Sequence, residues 1–480
     1  FFSMSPFGKA RYERLLEGLE VTEKQLSELE RTWRIDAEFF QRRHLRLAEQ
    51  LQQYRLESVA QVAAVSDGNH FSISESFVEE GIPYYRGQDV AGHFFIEQAA
   101  ANAITREAFE QPFMKRSHLQ QGDVLLSIIG TVGETSLVKT AREATCSCKL
   151  AILRPQAISP EYLAAYLSSS VGKSLTERWK RGAVQTGLLL EDMDQIPVAR
   201  FSGRFEDAIK SAVDAAFASL ESGRRLLQLA DQTLLQALGL DTWTPPEALS
   251  YVRSSRQAFA AGRLDAQFFA PRVEQLLARL GRDGLWLSDV APARHERFEP
   301  TGSGEFDYIE IGSLGADGTA ATESVPMAEA PSRATQHVRA GDVITSTVRP
   351  IRRLSALIAP EQDGAVCSSG FVVLQPQGIS GEVLLTYLRL PLVCELMDLH
   401  TSATMYPAIS ESDLLALPIP AIAPSVQAQV QDAVRQSAHA RQRATRLLDA
   451  AKRAVEIAIE DSEAAALAHL AAANPPYAAA

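Results

Sequence analysis

The sequence predicts a mixed α/β (α+β) protein built as an internal duplicate. Two similar globular domains are separated by two long helices that pair as an antiparallel coiled coil, giving a pseudo-twofold internal repeat. Three observations predict this. Arg34-Ile-Asp-Ala-Glu-Phe-Phe40 returns as Arg263-Leu-Asp-Ala-Gln-Phe-Phe269, and Gly122-Asp-Val124 returns as Gly341-Asp-Val343. From Cys146-Ser147, matched by Cys367-Ser368, the register holds at an offset of 221 positions through Leu153/Leu374, Tyr166/Tyr387, Pro197/Pro418 and Leu226/Leu447. A period this long marks a duplicated domain and not a solenoid of short repeats. Each copy ends in a stretch whose apolar residues step by four and three, the spacing of a coiled-coil seam.

The elements follow in order. Residues 1–33 are read as a helical segment, with Leu15, Leu16, Leu19, Leu26 and Leu29 near helical spacing. Residues 34–203 form the first globular domain. It begins rich in strands, such as Val124-Leu125-Leu126 and Leu150 to Leu153, punctuated by Gly and Pro. A helix follows Pro160, where Tyr162, Leu163, Tyr166 and Leu167 share a face. Residues 204–240 form the first long helix, with its seam at Ile209, Val213, Ala216, Leu220, Gly223, Leu227, Ala230, Leu234 and Ala237. Residues 241–262 are a linker carrying a short helix, and residues 263–422 form the second globular domain. The second long helix, 423–462, repeats the seam at Val430, Val434, Ser437, Arg441, Ala444, Leu448, Ala451, Val455 and Ala458. Residues 463–480 are read as a disordered Ala-rich tail.

Bulk properties narrow the function. A chain of 480 residues can bury more than one core. A net charge of −12 argues against a protein that simply coats nucleic acid, while leaving room for basic residues clustered on one face. No apolar run approaches the roughly 18–20 residues that span a bilayer. The start, Phe1-Phe2-Ser3-Met4, lacks the charged and apolar regions of a signal peptide, and Met4 is read as the natural start. Cys146, Cys148, Cys367 and Cys394 do not have zinc-knuckle spacing and are expected to be reduced thiols in a cytoplasmic protein.

Catalytic signatures fail on their context. Gly130-Thr-Val-Gly133 has no Lys-Ser/Thr after it and is read as a hairpin turn, not a phosphate loop. Asn474-Pro-Pro-Tyr477 has the form of the catalytic motif of amino-methyltransferases, but no glycine-rich cofactor motif accompanies it. There is no His-x-x-x-His pair, Gly-x-Ser-x-Gly elbow or Walker motif. No catalytic residue, metal site or cofactor is assigned to this chain.

The order of elements, together with Ile82-Pro-Tyr-Tyr-Arg-Gly-Gln-Asp-Val90, the run Gly122 to Gly133 and Leu150 to Pro155, resembles the specificity subunit of type I restriction–modification systems. The second copy contributes Phe306 to Gly312 and Gly341 to Pro350, and the copies close on Ile196-Pro197 and Leu417-Pro418. The resemblance covers about Arg34 to Glu460. It implies two target-recognition domains, each reading one half of a bipartite site in double-stranded DNA. It also implies a helix pair that spaces the readers and docks two methyltransferase subunits, with a restriction translocase–endonuclease as a further partner. S-adenosylmethionine and ATP with magnesium would then belong to those partners. A helix of about 34 residues spans roughly 50 Å, enough for the ~34 Å of one duplex turn. Two alternatives share the architecture: a scaffold or regulator that binds methyltransferase subunits without reading DNA, and the recognition part of a fused methyltransferase-endonuclease.

Bases are read by Arg, Lys, Asn and Gln, and phosphates are held by Lys, Arg, Ser and Thr. The DNA-binding candidates in the first domain are therefore Tyr85, Arg86 and Gln88, with Lys180, Arg181, Gln185 and Thr186. In the second they are Ser346, Thr347, Arg349, Arg352 and Arg353, with Ser402, Thr404 and Tyr406. The run Arg349-Pro-Ile-Arg-Arg353 concentrates positive charge in an acidic protein.

Overall fold

A computed structural model describes residues 14, 16–29, 34–99, 101–182, 186–401 and 407–474. The chain divides into two compact units, unit 1 from 1–220 with 442–480 and unit 2 from 221–441. The division cuts both long helices, Gly203–Leu238 and Pro424–Glu460, so each unit is a globule plus one half of each helix.

Among the described residues unit 1 holds ten strands: β1 Arg55–Ser58, β2 Ala63–Asp67, β3 Phe77–Val78, β4 Ile82–Tyr85, β5 Asn102–Ile104, β6 Val124–Ser127, β7 Thr135–Leu137, β8 Thr145–Cys146, β9 Leu150–Pro155 and β10 Pro197–Arg200. They form a β2-β9-β6-β7 sheet, a β3-β5-β4-β8 sheet and a β1-β10 pair. Unit 2 holds β11 Glu305–Ile309, β12 Glu323–Pro326, β13 Ala334–His337, β14 Val343–Ser346, β15 Ser355–Leu357, β16 Val366–Ser368 and β17 Phe371–Leu374, as a β12-β11-β16-β13 sheet and a β15-β14-β17 sheet. The copies share a central set of strands. β4 runs parallel to β8 with Tyr85 opposite Cys146, and β11 runs parallel to β16 with Ile309 opposite Cys367. The strand after each Gly-Asp-Val turn is central: β6 lies between β7 and β9, and β14 between β15 and β17.

The repeated residues are framework, and each has a physical task. Asp123 is fully buried, accepts the Gln120 N–H (2.7 Å) and takes two hydrogen bonds from Arg154 (2.8 Å each). Asp342 does the same with the Arg339 N–H (2.9 Å) and with Arg294 (2.7 and 3.0 Å). A buried carboxylate without such donors would be costly, which is why the turn and its arginine come together. The Tyr166 hydroxyl donates to the Pro197 carbonyl (3.1 Å) and that of Tyr387 to the Pro418 carbonyl (2.5 Å), tying the helices Pro160–Ser168 and Gly381–Arg389 to the segment that closes each globule. The four cysteines are free. Burial pushes the Cys146 thiol well up and that of Cys367 up to about 12, which leaves both unreactive.

In unit 1, Ile209, Val213 and Ala216 share one core with Ala444, Ala451 and Val455. In unit 2, Ala230 and Leu234 share one with Val430 and Val434. The start of one long helix therefore packs on the end of the other in both units, and the pair is antiparallel. Its seam differs in part from the heptad reading. Leu220, Leu227 and Leu448 are only half-buried, Ala237 is exposed while Leu238 is buried, and Arg441 turns out to pair with Asp317. Small residues fill the middle: a Cβ on Gly223 would stand 3.3 Å from the Ser437 carbonyl. Backbones that close leave no room for a leucine seam there.

Both chain ends depart from the sequence reading. Between residues 16 and 29 there is no α-helix, only turns and a 3-10 turn at Leu26–Glu28. Leu19 and Leu26 are 64% and 73% exposed, so this part of the apolar stripe is not packed, and short helices in water need such packing. The tail read as disordered instead forms the helix Glu463–Ala473. Ser462 caps it through the Ala465 N–H (3.3 Å), Glu463 holds the Ser202 N–H (3.0 Å), and Ala466 and Leu470 enter the unit 1 core. Alanine is the best helix former, and here it also has a surface to cover. Asn474 ends this helix, and the rest of Asn474-Pro-Pro-Tyr477 lies outside the described residues. In the linker, Ser254 and Gln257 form a reciprocal cap on the helix Ser255–Ala261, which Gly262 ends.

Candidate nucleic-acid interface

In unit 1 three segments meet at one edge. After β6 the chain turns through Ile128–Glu134, with Gly130 and Gly133 at φ 86° and 94°. Ile129 pairs with Gly187, and Arg181 and Gly187 exchange two backbone hydrogen bonds of 2.8 Å, which closes the Lys180–Thr186 loop beside that turn. The third is the start of the short helix Gly87–Val90, capped by Arg86 at the end of β4; it is tied in by Thr131, whose hydroxyl donates to the Gly87 carbonyl (3.3 Å). A Cβ on Gly87 would lie 3.8 Å from the Cβ of exposed Lys149. This edge thus gathers the sequence-predicted stretches around 86–88 and 180–186 and adds Lys149, which sequence reasoning missed.

The individual candidates separate there. Tyr85 is 1% exposed and its hydroxyl accepts from Arg142, so it is core and not a reader. Its alternation partner on β4 faces inward because the strand is covered on both sides. Gln88 is exposed, and Arg86 is half-buried with Asp89 at 3.6 Å. Arg181 pairs with buried Asp192, whose carboxyl burial pushes up against the pull of that arginine, so Arg181 anchors its loop. Lys180 and Thr186 are half-buried at the ends of the loop, and Gln185 lies outside the described residues.

The repeated Arg-x-Asp-x-x-Phe-Phe motif stands under this loop. Arg34 donates to the Trp179 and Lys180 carbonyls (3.0 Å each), holds Asp36 (2.7 Å), and lies 4.6 Å from the Phe39 ring centre. It thereby caps the end of the helix Ser170–Trp179 just where the loop departs. The Arg34 hydrogen bond holds the Asp36 carboxyl below its usual range. In unit 2, Arg263 holds Asp265 (2.7 Å), keeps its carboxyl low in the same way, and lies 4.5 Å from Phe268.

The turn after the central strand recurs in unit 2 with different chemistry. Val348 pairs with Ala408 as Ile129 does with Gly187, and the Thr347 N–H donates to the Gly370 carbonyl (2.9 Å) as that of Ile128 does to Lys149 (2.9 Å). These bonds make Arg349 the counterpart of Gly130. The Ser346–Leu354 bond (2.8 Å), matching Ser127–Glu134 (2.8 Å), makes Arg353 the counterpart of Gly133. Both arginines keep the left-handed backbone, at φ 50° and 59°, and they are the non-glycine residues with positive φ among those described. Each such position costs an ordinary residue about 1–2 kcal/mol. Conversely, the unit 1 cations Arg86 and Lys149 correspond to Glu310 and Gly370.

No family model matches the chain, and no curated protein matches it. Solved structures similar to it include three of type I restriction-modification systems. The S subunit of a type I restriction-modification system from M. genitalium is 12% identical, with 87% of this chain and 96% of that one covered and a TM-score of 0.36. A structure of the type I R-M system, described for its complex assembly and conformational transition, is 18% identical, with 88% and 97% covered and a TM-score of 0.27. The HsdS subunit from Thermoanaerobacter tengcongensis is 16% identical, with 88% and 96% covered and a TM-score of 0.26.

In the unit 2 turn the arginines divide by role. Arg353 turns inward, donating to the Arg389 carbonyl (2.5 Å) and pairing with Asp231 on the first long helix (3.0 Å). Arg389 returns hydrogen bonds to the Arg353 and Ser355 carbonyls (2.6 and 3.1 Å), and burial, then the nearby Arg353, lowers its pKa. Arg353 is therefore corrected from reader to anchor. Ser346 is likewise corrected: it is 2% exposed, and its hydroxyl donates to the Val348 carbonyl (3.1 Å). Thr347 is half-buried with its hydroxyl on the Gly370 carbonyl (3.0 Å). Arg349 is half-buried with its N–H on the Pro407 carbonyl (2.9 Å), and Arg352 is exposed without an ion pair among the described residues. Ser402, Thr404 and Tyr406 lie outside the described residues. Among the described residues no group of three or more His, Cys, Asp or Glu could hold a metal, and no helix is long and apolar enough to cross a membrane.

Proposed function

We propose that this chain is the non-catalytic DNA-specificity subunit of a type I restriction–modification complex, each unit reading one half of a bipartite target. One observation supports the reading above the rest. The same turn after the central strand is built twice on a repeated frame, while the charges beside it have moved: Arg86 and Lys149 in unit 1, the arginine turn in unit 2. A scaffold that only docked proteins through a duplicated surface would have no need to rearrange that edge. Base and phosphate recognition does, because a change of half-site sequence demands a change of donors and acceptors. In this reading the two long helices, each continuing from one unit into the other, set the gap between half-sites and carry two methyltransferase subunits. Adenine methylation with S-adenosylmethionine and ATP-driven cleavage belong to the partners.

The test is methylome sequencing of the host with and without the gene. A split adenine-methylated motif is expected to vanish on deletion, and an unchanged methylome rejects the reading. Removing seven residues from each long helix, in register, is expected to shorten the gap by about three base pairs, since each residue adds about 1.5 Å.

A further inference from the structure

The end of the β3-β5-β4-β8 sheet at which Tyr85 and Cys146 lie carries a feature that the edge described above does not use. Gly68-Asn69-His70-Phe71 follows β2, and its backbone is held against the stretch after β8. The Asn69 N–H donates to the Cys146 carbonyl (2.8 Å), and the Cys148 N–H donates to the Asn69 carbonyl (3.0 Å). Glycine at 68 permits this approach, because a Cβ there would run into the Ser147 carbonyl. Asn69 is buried, and its side-chain amide grips Phe71 at both ends. Its Oδ1 accepts the Phe71 N–H (2.9 Å) and its Nδ2 donates to the Phe71 carbonyl (2.8 Å). What this fixed loop presents to solvent is an aromatic ring. Phe71 is 59% exposed, and its ring centre lies 4.6 Å from that of Phe113, itself 36% exposed. Two adjacent rings left in water on a pinned loop point to a surface that covers them in use.

The flanks of the rings are basic. Lys115 and Arg116 follow Phe113 in the turn Pro112–Ser117, and both are exposed. His70 (2.5 Å) and Arg116 both face the carboxylate of buried Asp67, so one negative charge stands between two basic side chains. On the other side, the Ser147 N–H donates to the Tyr85 carbonyl (2.9 Å), and the two strands run on from there to Arg86 and Lys149. Phe71 is thus continuous with the cationic edge of unit 1. In unit 2, Ala293 faces Leu374 as Val65 faces Leu153, but the chain beyond it takes another course. It runs beside β13, with Arg297 opposite Gln336 and Phe298 buried against Phe306.

We infer that Phe71 and Phe113 form an aromatic wedge that inserts at a base step of duplex DNA, at the margin of the half-site read by unit 1. Lys115 and Arg116 hold the flanking phosphates, and Asn69 is the positioning residue that keeps Phe71 in place. This rests on the DNA-reading function proposed above and adds to it a contact that reads no base edge. The rings leave water and stack on a base, and the basic flank selects nucleic acid over an apolar protein surface. Unstacking is easiest at flexible pyrimidine–purine steps, so the wedge confers a preference for such a step beside the half-site.

The test uses the full chain with its native partners and a duplex that this complex selects from a random-sequence pool. Affinity is measured together with the permanganate reactivity of each thymine, which rises when a base is unstacked. The wild-type complex is expected to make one thymine reactive, at a pyrimidine–purine step beside the unit 1 half-site. Phe71→Ala with Phe113→Ala is expected to abolish that reactivity and to weaken binding about 5- to 100-fold. Should the double variant melt early, Phe71→Ala alone, at the more exposed ring, is expected to abolish the reactivity and weaken binding at least about threefold. A folded variant with wild-type affinity and reactivity overturns the wedge while leaving the DNA-reading function intact. Weaker binding with the thymine still reactive, or a wild-type complex that makes no thymine reactive, overturns the insertion equally. Loss of partner subunits on size-exclusion chromatography, with DNA affinity unchanged, assigns the rings to a protein contact and overturns it too. Failure of the wild-type complex to select any duplex removes the DNA-reading function and this inference with it.

Discussion

The turn after the central strand is Gly130-Thr-Val-Gly133 in unit 1 and Arg349-Pro-Ile-Arg-Arg353 in unit 2, one residue longer and with guanidinium groups where the other has hydrogen atoms. Around it the frame barely changes. The same strand pairs with the same neighbours, a matching backbone bridge joins the turn to Gly187 or Ala408, and the same buried aspartate holds the turn before the strand. The difference teaches where this fold tolerates change. Positions with a geometric task keep their residue types, and positions fixed only by backbone hydrogen bonds accept any side chain whose strain the frame can absorb.

The predictions sharpen or break that comparison, beginning with the largest effect. Asp123→Ala and Asp342→Ala are each expected to cost about 3–5 kcal/mol, because each leaves an arginine and a backbone N–H facing an empty acceptor site. The value for Asp123 should sit lower, since Arg154 is 40% exposed against 21% for Arg294. Urea denaturation measures both, and a loss in one copy alone would show that the aspartates do not share a role.

Leu234→Ala is expected to cost about 2–4 kcal/mol, and Leu227→Ala about half that, because Leu234 is fully buried and Leu227 is not. Equal losses would restore the regular heptad seam that the structure modifies. In the unit 1 turn, Gly133→Ala is expected to cost more than Gly130→Ala. Both incur roughly 1–2 kcal/mol of backbone strain. At Gly133 the new methyl also meets the Thr176 hydroxyl at 2.8 Å, whereas at Gly130 nothing lies within 4 Å.

The smallest effect is on pH. Asp36 and Asp265 both have carboxyls held low by a paired arginine, so both should stabilise the protein above the unfolded carboxylate value near pH 4. That contribution falls as pH drops through the folded values. Asp36→Asn and Asp265→Asn should therefore lower stability at pH 7, and the difference from wild type should shrink as pH falls. A difference from wild type that persists in acid would mean that the arginine pairs are not its source.

Legibility in the sequence followed the kind of physics involved. The duplication, the two long helices and the helix after Pro160 were readable because periodicity and repetition act over many residues. The edge was partly readable, since 86–88 and 180–186 are polar loops at matching places. What escaped depended on which way one side chain turns. Tyr85 and Ser346 look like polar surface groups but lie on inward pleats, and no local signal links Arg353 to Asp231, 122 positions away. Lys149 could have been found by asking where a charge in one copy meets glycine in the other. The chain ends failed for the opposite reason. Leucine spacing at 15–29 and alanine richness at 463–473 describe propensity, and packing decided against the first and for the second.

The central claim is that each globule reads its own half of the target. The most direct measurement replaces residues 41–200 by residues 270–421 in the full chain, then sequences the duplexes that the resulting complex selects from a random pool. The account predicts that one half-site is lost and is replaced by a second copy of the other. Retention of the original split sequence, or simultaneous change in both halves, would contradict it.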